Sequence, residues 1–115
     1  MTQPCIFCQI IKRQSSAKIV YEDERIVAFE DIKPVAPVHL LIIPKKHYRS
    51  LNEISPEDEP LLGHLISLAT RLAEEKGLKK TGYRLVINTG PNSGQQIDHL
   101  HLHLLGGRPF SWPPG

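Results

Sequence analysis

The sequence predicts an α+β fold: a five-stranded antiparallel sheet with one short N-terminal helix and one long helix. Three observations carry this expectation. A leucine stripe recurs at helical spacing between Ser55 and Gly77, five short segments have strand character, and the connections between neighbouring segments are local. With 115 residues the chain is expected to form one domain, 1–115, ending in an irregular tail over 106–115.

Taken in order, Ile6, Phe7, Ile10 and Ile11 follow Pro4 at helical spacing and predict a short helix from Cys5 to about Arg13. Residues 18–21 and 25–30, rich in Ile, Val and aromatics, flank the acidic turn Glu22-Asp23-Glu24 and read as a hairpin. Leu40-Leu41-Ile42-Ile43 is a continuous apolar run closed by Pro44, as expected of a buried strand. Ser55-Pro56-Glu57-Asp58 resembles a helix start, but Pro60 would remove a hydrogen bond in the second turn. Regular helix is therefore expected from nearer Pro60, with Leu61, Leu65, Leu68 and Leu72 as its buried stripe and Gly77 as its stop. Residues 83–88 and 99–105 read as strands separated by a turn-rich loop. Trp112 is a large apolar ring in a tail with nothing else to bury, and suggests docking.

Composition narrows the function. Fourteen basic against twelve acidic residues leave a net charge of +2, too little for a nucleic-acid-binding field. No apolar run approaches the roughly 20 residues needed to cross a bilayer. No membrane or nucleic-acid partner is expected. The first residues show no basic segment followed by an apolar one, so no secretion signal is expected and a cytoplasmic setting follows.

The two cysteines, Cys5 and Cys8, lie three positions apart. In a reducing compartment that spacing favours a metal or a redox pair over a structural disulfide. A redox pair belongs between a strand and a helix in a βαβ unit, whereas this one opens the chain. His64 stands alone in the helical pattern and reads as a surface or satisfied core histidine.

His99, His101 and His103 alternate with Leu100, Leu102 and Leu104, so on a strand the imidazoles share one face and the leucines the other. A merely half-buried strand would carry Thr, Lys or Glu there. Two readings remain, a histidine metal site or imidazoles gathered around an anion. The preceding loop, with Gly90, Asn92, Ser93 and Gly94, favours the anion, because turns of this kind point N–H groups at phosphate. Neutral imidazole is a nucleophile and its protonated form stabilises phosphate charge, so a cluster of mixed protonation suits phosphoryl chemistry.

His99-Leu100-His101-Leu102-His103-Leu104-Leu105 resembles the alternating signature of the histidine-triad superfamily. The resemblance extends over nearly the whole chain, through Cys5-Ile6-Phe7, Phe29-Glu30-Asp31-Ile32, Ala36-Pro37-Val38-His39, Ile43-Pro44-Lys45-Lys46-His47, Asn88, Gly94-Gln95, Gly106-Gly107-Arg108 and Trp112-Pro113-Pro114-Gly115. It points to the nucleotide-binding branch, whose members hydrolyse nucleoside phosphoramidates.

That resemblance implies a homodimer with the sheet continued across the interface, and it assigns roles. His101 matches the nucleophile that becomes nucleotidylated, while His103 and His39 match residues that contact phosphate or orient it. Asp31 matches the carboxylate for the ribose hydroxyls, Phe29 and Ile32 the base walls, and Asn88, Gly94, Gln95, Gln96 and Ile97 the phosphate-side loop. Trp112 is expected to reach a nucleotide in the partner's site. Relatives with both cysteines suggest a structural zinc on Cys5, Cys8, His47 and His99, with no catalytic metal required. Gln96 departs from the Ser or Thr of many relatives, which puts leaving-group preference in doubt, and Asp98 stands where several carry an aromatic ring.

The expected function is cleavage of the P–N bond of purine nucleoside 5′-phosphoramidates through a nucleotidyl-histidine. The rivals are a dinucleoside polyphosphate hydrolase, which the Trp-Pro-Pro-Gly end and the cysteine pair argue against, and a nucleotide-binding or interaction module with incidental hydrolysis.

Overall fold

The computed structural model describes residues 5–115; Pro4 lies outside them. Its elements run α1 (Ile6–Ile11), β1 (Ile19–Glu22), β2 (Ile26–Glu30), β3 (Val38–Pro44), α2 (Glu59–Glu75), β4 (Tyr83–Val86) and β5 (Leu102–Gly106). The five strands form one antiparallel sheet in the order β1-β2-β3-β5-β4. This is the α+β architecture the sequence predicts.

Side-chain alternation divides the sheet into two chemically different faces. On one, Ile26, Ala28, Leu40, Ile42, Leu102 and Leu104 pack against Leu61, Leu65, Leu68 and Leu72 of α2. On the other, Val27, Phe29, Leu41 and Ile43 meet only Phe7 and Ile10 among the buried residues of α1. A 17-residue helix covers the first face, and a six-residue helix leaves much of the second open. The open part is where the site lies.

Local chemistry sets the boundaries. The β1–β2 turn is closed by the Asp23 carboxylate, which accepts from the backbone N–H groups of Arg25 (2.8 Å) and Ile26 (2.9 Å). His64 on α2 stands 2.6 Å from the other Asp23 oxygen, so it is a satisfied histidine, as expected. α2 starts at Glu59, after a 3-10 turn over Pro56–Asp58, which places Pro60 in the first turn where its missing N–H has no helical partner to lose. It is closed off by Gly77, two residues past its end, whose φ of +75° permits Leu78 N–H to reach back to Ala73 O at 2.8 Å.

Two strands are shorter than the alternation predicts. β5 begins at Leu102, not His99, because the backbone before it is committed elsewhere. His99 N–H donates to Ile97 O, Leu100 N–H donates to Tyr48 O at 2.7 Å, and His99 O accepts from the His101 ring. β4 ends at Val86, not Asn88, since Val86 pairs with His103 and β5 supplies little ladder beyond it. The alternation itself survives: Leu100, Leu102 and Leu104 are buried against α2.

Past Gly106 the tail has no regular structure, but it is tied down. Arg108 Nε–H donates to Val35 O at 3.0 Å, and an Arg84 N–H donates to Ser111 O at 2.9 Å. Trp112 is 84% exposed. Among the described residues no helix is long and apolar enough to cross a membrane.

Candidate active site

The site grows from β3 and β5, neighbours at the centre of the sheet. His39, near the start of β3, and His103, on β5, place Nε2 and Nδ1 2.9 Å apart. His101, just before β5, lies edge-on to His103 with ring centroids 4.9 Å apart.

Hydrogen-bond partners fix the tautomers. A carbonyl only accepts, so His101 Nδ1 carries the proton it donates to His99 O at 2.7 Å, and the lone pair is left on Nε2. His39 Nδ1 accepts from Val35 N–H at 3.1 Å, so its proton is on Nε2. That Nε2–H donates to His103 Nδ1, and His103 in turn carries its proton on Nε2. The cluster thus offers one bare nitrogen, on His101, beside one N–H, on His103. Asp31 places one carboxylate oxygen 3.3 Å from His39 Nε2 and accepts Lys33 N–H on the other at 2.8 Å.

Burial dominates the protonation of all three rings. It lowers His101 below the ordinary imidazole range, against the opposing pull of the His99 carbonyl and Asp31. It lowers His39, which Asp31 partly offsets. His103 falls to about 4, through burial and then repulsion by His101 and His39. The mixed protonation expected from the sequence is therefore replaced by a neutral cluster, with His101 in its nucleophilic form.

These groups open into a cavity of about 940 Å³ that crosses the sheet. At the β1–β2 end an apolar wall, Ile6, Phe7 and Ile10 from α1 and Phe29 and Leu41 from the sheet, stands beside the charged Lys18, Glu30, Asp31 and Lys33, with Ile32 at the mouth, 92% exposed. At the β5–β4 end the wall is polar and uncharged, with Asn88, Gly94 and Gln96 beside Ile97, His101 and His103. Gly94 adopts φ +82°, which lets the loop turn its backbone toward the cavity. Two residues expected at the nucleotide do not line this cavity. Gln95 braces the loop from behind, accepting Gly90 N–H at 2.9 Å and donating to Arg49 O at 2.7 Å and Ile97 O at 3.0 Å. Trp112 lies out on the tail. Asp98 is exposed and also lies off the cavity wall.

Two contributors escaped the sequence. Phe7 packs edge-on against Phe29, His99 and His101, at centroid distances of 5.4, 5.8 and 5.2 Å. Its place in the apolar pattern of α1 marked it only as core. Val35 acts through its backbone, which no side-chain pattern reveals.

Cys5, Cys8, His47 and His99 form a second cluster, their donor atoms all within 4.8 Å of one another. Cys5 Sγ and His99 Nδ1 are 3.4 Å apart, Cys8 Sγ and His47 Nδ1 3.3 Å, and Cys8 Sγ and His99 Nδ1 3.7 Å. Tetrahedral zinc–sulfur and zinc–nitrogen bond lengths give ligand–ligand edges of roughly 3.3–3.8 Å. His99 Nε2–H donates to Pro44 O at 2.8 Å, which leaves Nδ1 bare toward the thiols, and burial holds this ring at about 4, so it is neutral. The donor set fits a closed structural metal site.

The family model described as "Scavenger mRNA decapping enzyme C-term binding" matches residues 4–110. An uncharacterized HIT-like protein of Synechocystis is 53% identical over 115 residues, covering 100% of both chains. A purine nucleoside phosphoramidase of Escherichia coli K12 is 46% identical over 110 residues, 96% of this chain and 92% of that protein. The crystal structure of a HIT family hydrolase from Legionella pneumophila superimposes with a TM-score of 0.95 at 49% identity, covering 97% of this chain and 100% of that one. A HIT family hydrolase from Clostridium thermocellum gives 0.91 at 45%, covering 96% of each. Three imidazoles gathered on one wall of the cavity and these likenesses lead to one conclusion: the chain belongs to the histidine-triad (HIT) family, as a hydrolase of it.

Proposed function

We propose that the protein hydrolyses the P–N bond of purine nucleoside 5′-phosphoramidates through a nucleotide covalently bound to His101. The observation that carries this reading is the tautomer order of the triad, with His101 Nε2 bare and backed by the Nδ1–H bond to His99 O. His101 Nε2 bonds to phosphorus as the P–N bond breaks, and the amine leaves with a proton taken from a solvent water. The hydroxide so formed attacks phosphorus, and the bond to His101 breaks, which returns the lone pair to Nε2. Two steps with a good nucleophile replace one attack by a poor one. His103 Nε2–H and the Gly94 loop hold the phosphoryl oxygens, with His39 orienting His103. The purine occupies the apolar end against Phe29 and Ile32, and Asp31 meets the ribose.

The charge pattern supports a phosphoramidate over a dinucleoside polyphosphate. The lysines on the cavity wall, Lys18 and Lys33, belong to the β1–β2 end, whereas a polyphosphate leaving group would emerge at the uncharged Asn88–Gln96 end. The phosphoramidase name of the Escherichia coli relative points the same way.

Zinc is the metal we assign to Cys5, Cys8, His47 and His99; when bound it would cross-link α1 to the triad segment without an open position for chemistry. Its thiolate ligands suit a reducing cytoplasmic setting. The active form is a homodimer joined at β4, one of the two edge strands of the sheet, with Trp112 directed to the partner's site. The test is turnover of adenosine 5′-phosphoramidate against a diadenosine polyphosphate. The phosphoramidate should be cleaved at least about a hundredfold more efficiently, a difference of roughly 3 kcal/mol in transition-state binding; equal rates would overturn the assignment.

A further inference from the structure

The C-terminal tail is linked to the triad by an unbroken set of hydrogen bonds. Phe110 is held between two guanidinium groups, Arg84 of β4 at 5.1 Å and Arg108 at 4.2 Å from the ring centroid. Arg108 points two donors in different directions, Nε–H to Val35 O at 3.0 Å and an Nη1–H to Pro109 O at 3.0 Å. The same Val35 residue donates its N–H to His39 Nδ1 at 3.1 Å, and His39 Nε2–H donates to His103 Nδ1 at 2.9 Å.

We infer that Arg108 is a positioning residue for the triad, acting through the backbone of Val35 to set the tautomer of His39 and hence the proton position on His103.

The physical case rests on what would happen without it. Residues 31–37 have no place in the sheet, and Pro34 and Pro37 supply no N–H groups to anchor them. Arg108 gives this segment a fixed partner 73 residues away. Val35 is 58% exposed, so packing does little to hold the residue in place. If the Val35 N–H swings away, His39 Nδ1 loses the donor that keeps it unprotonated, and the ring can place its proton on Nδ1 instead. His39 Nε2 would then be an acceptor facing another acceptor on His103, and His103 would have to move its own proton to Nδ1. The nitrogen facing the phosphoryl group would lose its hydrogen. One guanidinium at the surface thereby biases whether a half-buried imidazole offers N–H or lone pair. Arg108 is suited to this by its rigid fork, which holds two carbonyls while its plane lies on Phe110.

The inference rests on the hydrolytic reading for its rate effect, but not for its tautomer effect. The experiment compares the parent chain with Arg108→Ala, Val35→Pro and Arg108→Lys. In the parent, nitrogen NMR of labelled imidazoles should show His39 protonated at Nε2 and bare at Nδ1. Arg108→Ala and Val35→Pro should both shift part of His39 to the Nδ1–H form. Each should lower kcat for adenosine 5′-phosphoramidate by about tenfold to a hundredfold, as expected for a misplaced catalytic group. KM should change less than kcat, because Asp31, at the head of the segment, is held independently by its own N–H bond to His39 O at 3.0 Å. Arg108→Lys, which keeps one donor and the charge, should recover part of the rate. Should Val35→Pro fail to fold, Arg108→Ala carries the test alone. A parent-like His39 spectrum in Arg108→Ala overturns the inference. So does a shifted spectrum with unchanged kcat. A shifted spectrum in a chain that cleaves no phosphoramidate upholds the positioning role and overturns the proposed substrate instead.

Discussion

His101 and His103 present different nitrogens to the cavity from nearly the same surroundings, and the difference lies in which nitrogen each has engaged. His101 gives its Nδ1 proton to a carbonyl, whereas His103 receives a proton at Nδ1 from His39. Replacing His101 with Ala should lower phosphoramidate turnover by about a thousandfold or more, since no other bare imidazole nitrogen faces the cavity. Nucleoside monophosphate affinity, read by calorimetry, should stay within a few-fold, because Phe29, Asp31 and Ile32 are unchanged. Parent-like turnover by that variant would remove His101 from the chemistry. The same burial makes a statement about stability. His39 and His103 are held below 6.5 in the fold, His103 at about 4, whereas unfolded imidazoles titrate near 6.5. The unfolded chain therefore binds protons first as the pH falls. The stabilisation is complete above about 6.5 and is lost progressively toward about 4. The urea midpoint should be lower at pH 5 than at pH 7, and His103→Gln should narrow that difference. A midpoint equal at both pH values would contradict it.

At the scale of elements, legibility followed from whether local pattern or distant contact set the structure. The leucines of α2, its start near Pro60 and its stop at Gly77 were all readable, because period and capping chemistry are local. The run of β3 was readable because a strand buried on both faces carries few polar residues. The early end of the β5 ladder was not, since Leu100 N–H finds Tyr48 O, a partner 52 residues earlier. Candidate triad residues were visible from alternation, and their roles from family likeness; the Val35 contact, a backbone group between two prolines, left no trace. α1 yields a prediction of its own. With only Phe7 and Ile10 buried, six residues form a marginal helix, and Cys5 and Cys8 offer it an anchor to His47 and His99. Protein purified without a histidine tag should carry about one zinc per chain. Stripping it with a chelator should lower the melting temperature and loosen Phe7 from His101. Less than a tenth of an equivalent, with both thiols freely titratable, would refute the metal.

For the molecule as a whole, β4 is one of the two sheet edges, and the one that lies next to the triad strand. Its four residues are all half-buried, and Ile66 on α2 is a large apolar side chain left 47% exposed. Sedimentation at micromolar concentration should give about twice the monomer mass, and Ile66→Lys should shift the equilibrium toward monomer. A single species of monomer mass in the parent would rule the dimer out.

The two-sidedness of the triad strand also guards against mispairing. Because Leu102 and Leu104 face α2 while His103 faces the cavity, sliding β5 by one residue against β3 would drive imidazole into the leucine core and push leucine among the histidines. Both errors are costly, and they occur together. The alternation that supplies the reactive groups therefore also rejects the neighbouring registers, so a chain folded out of register would be unstable before it was inactive.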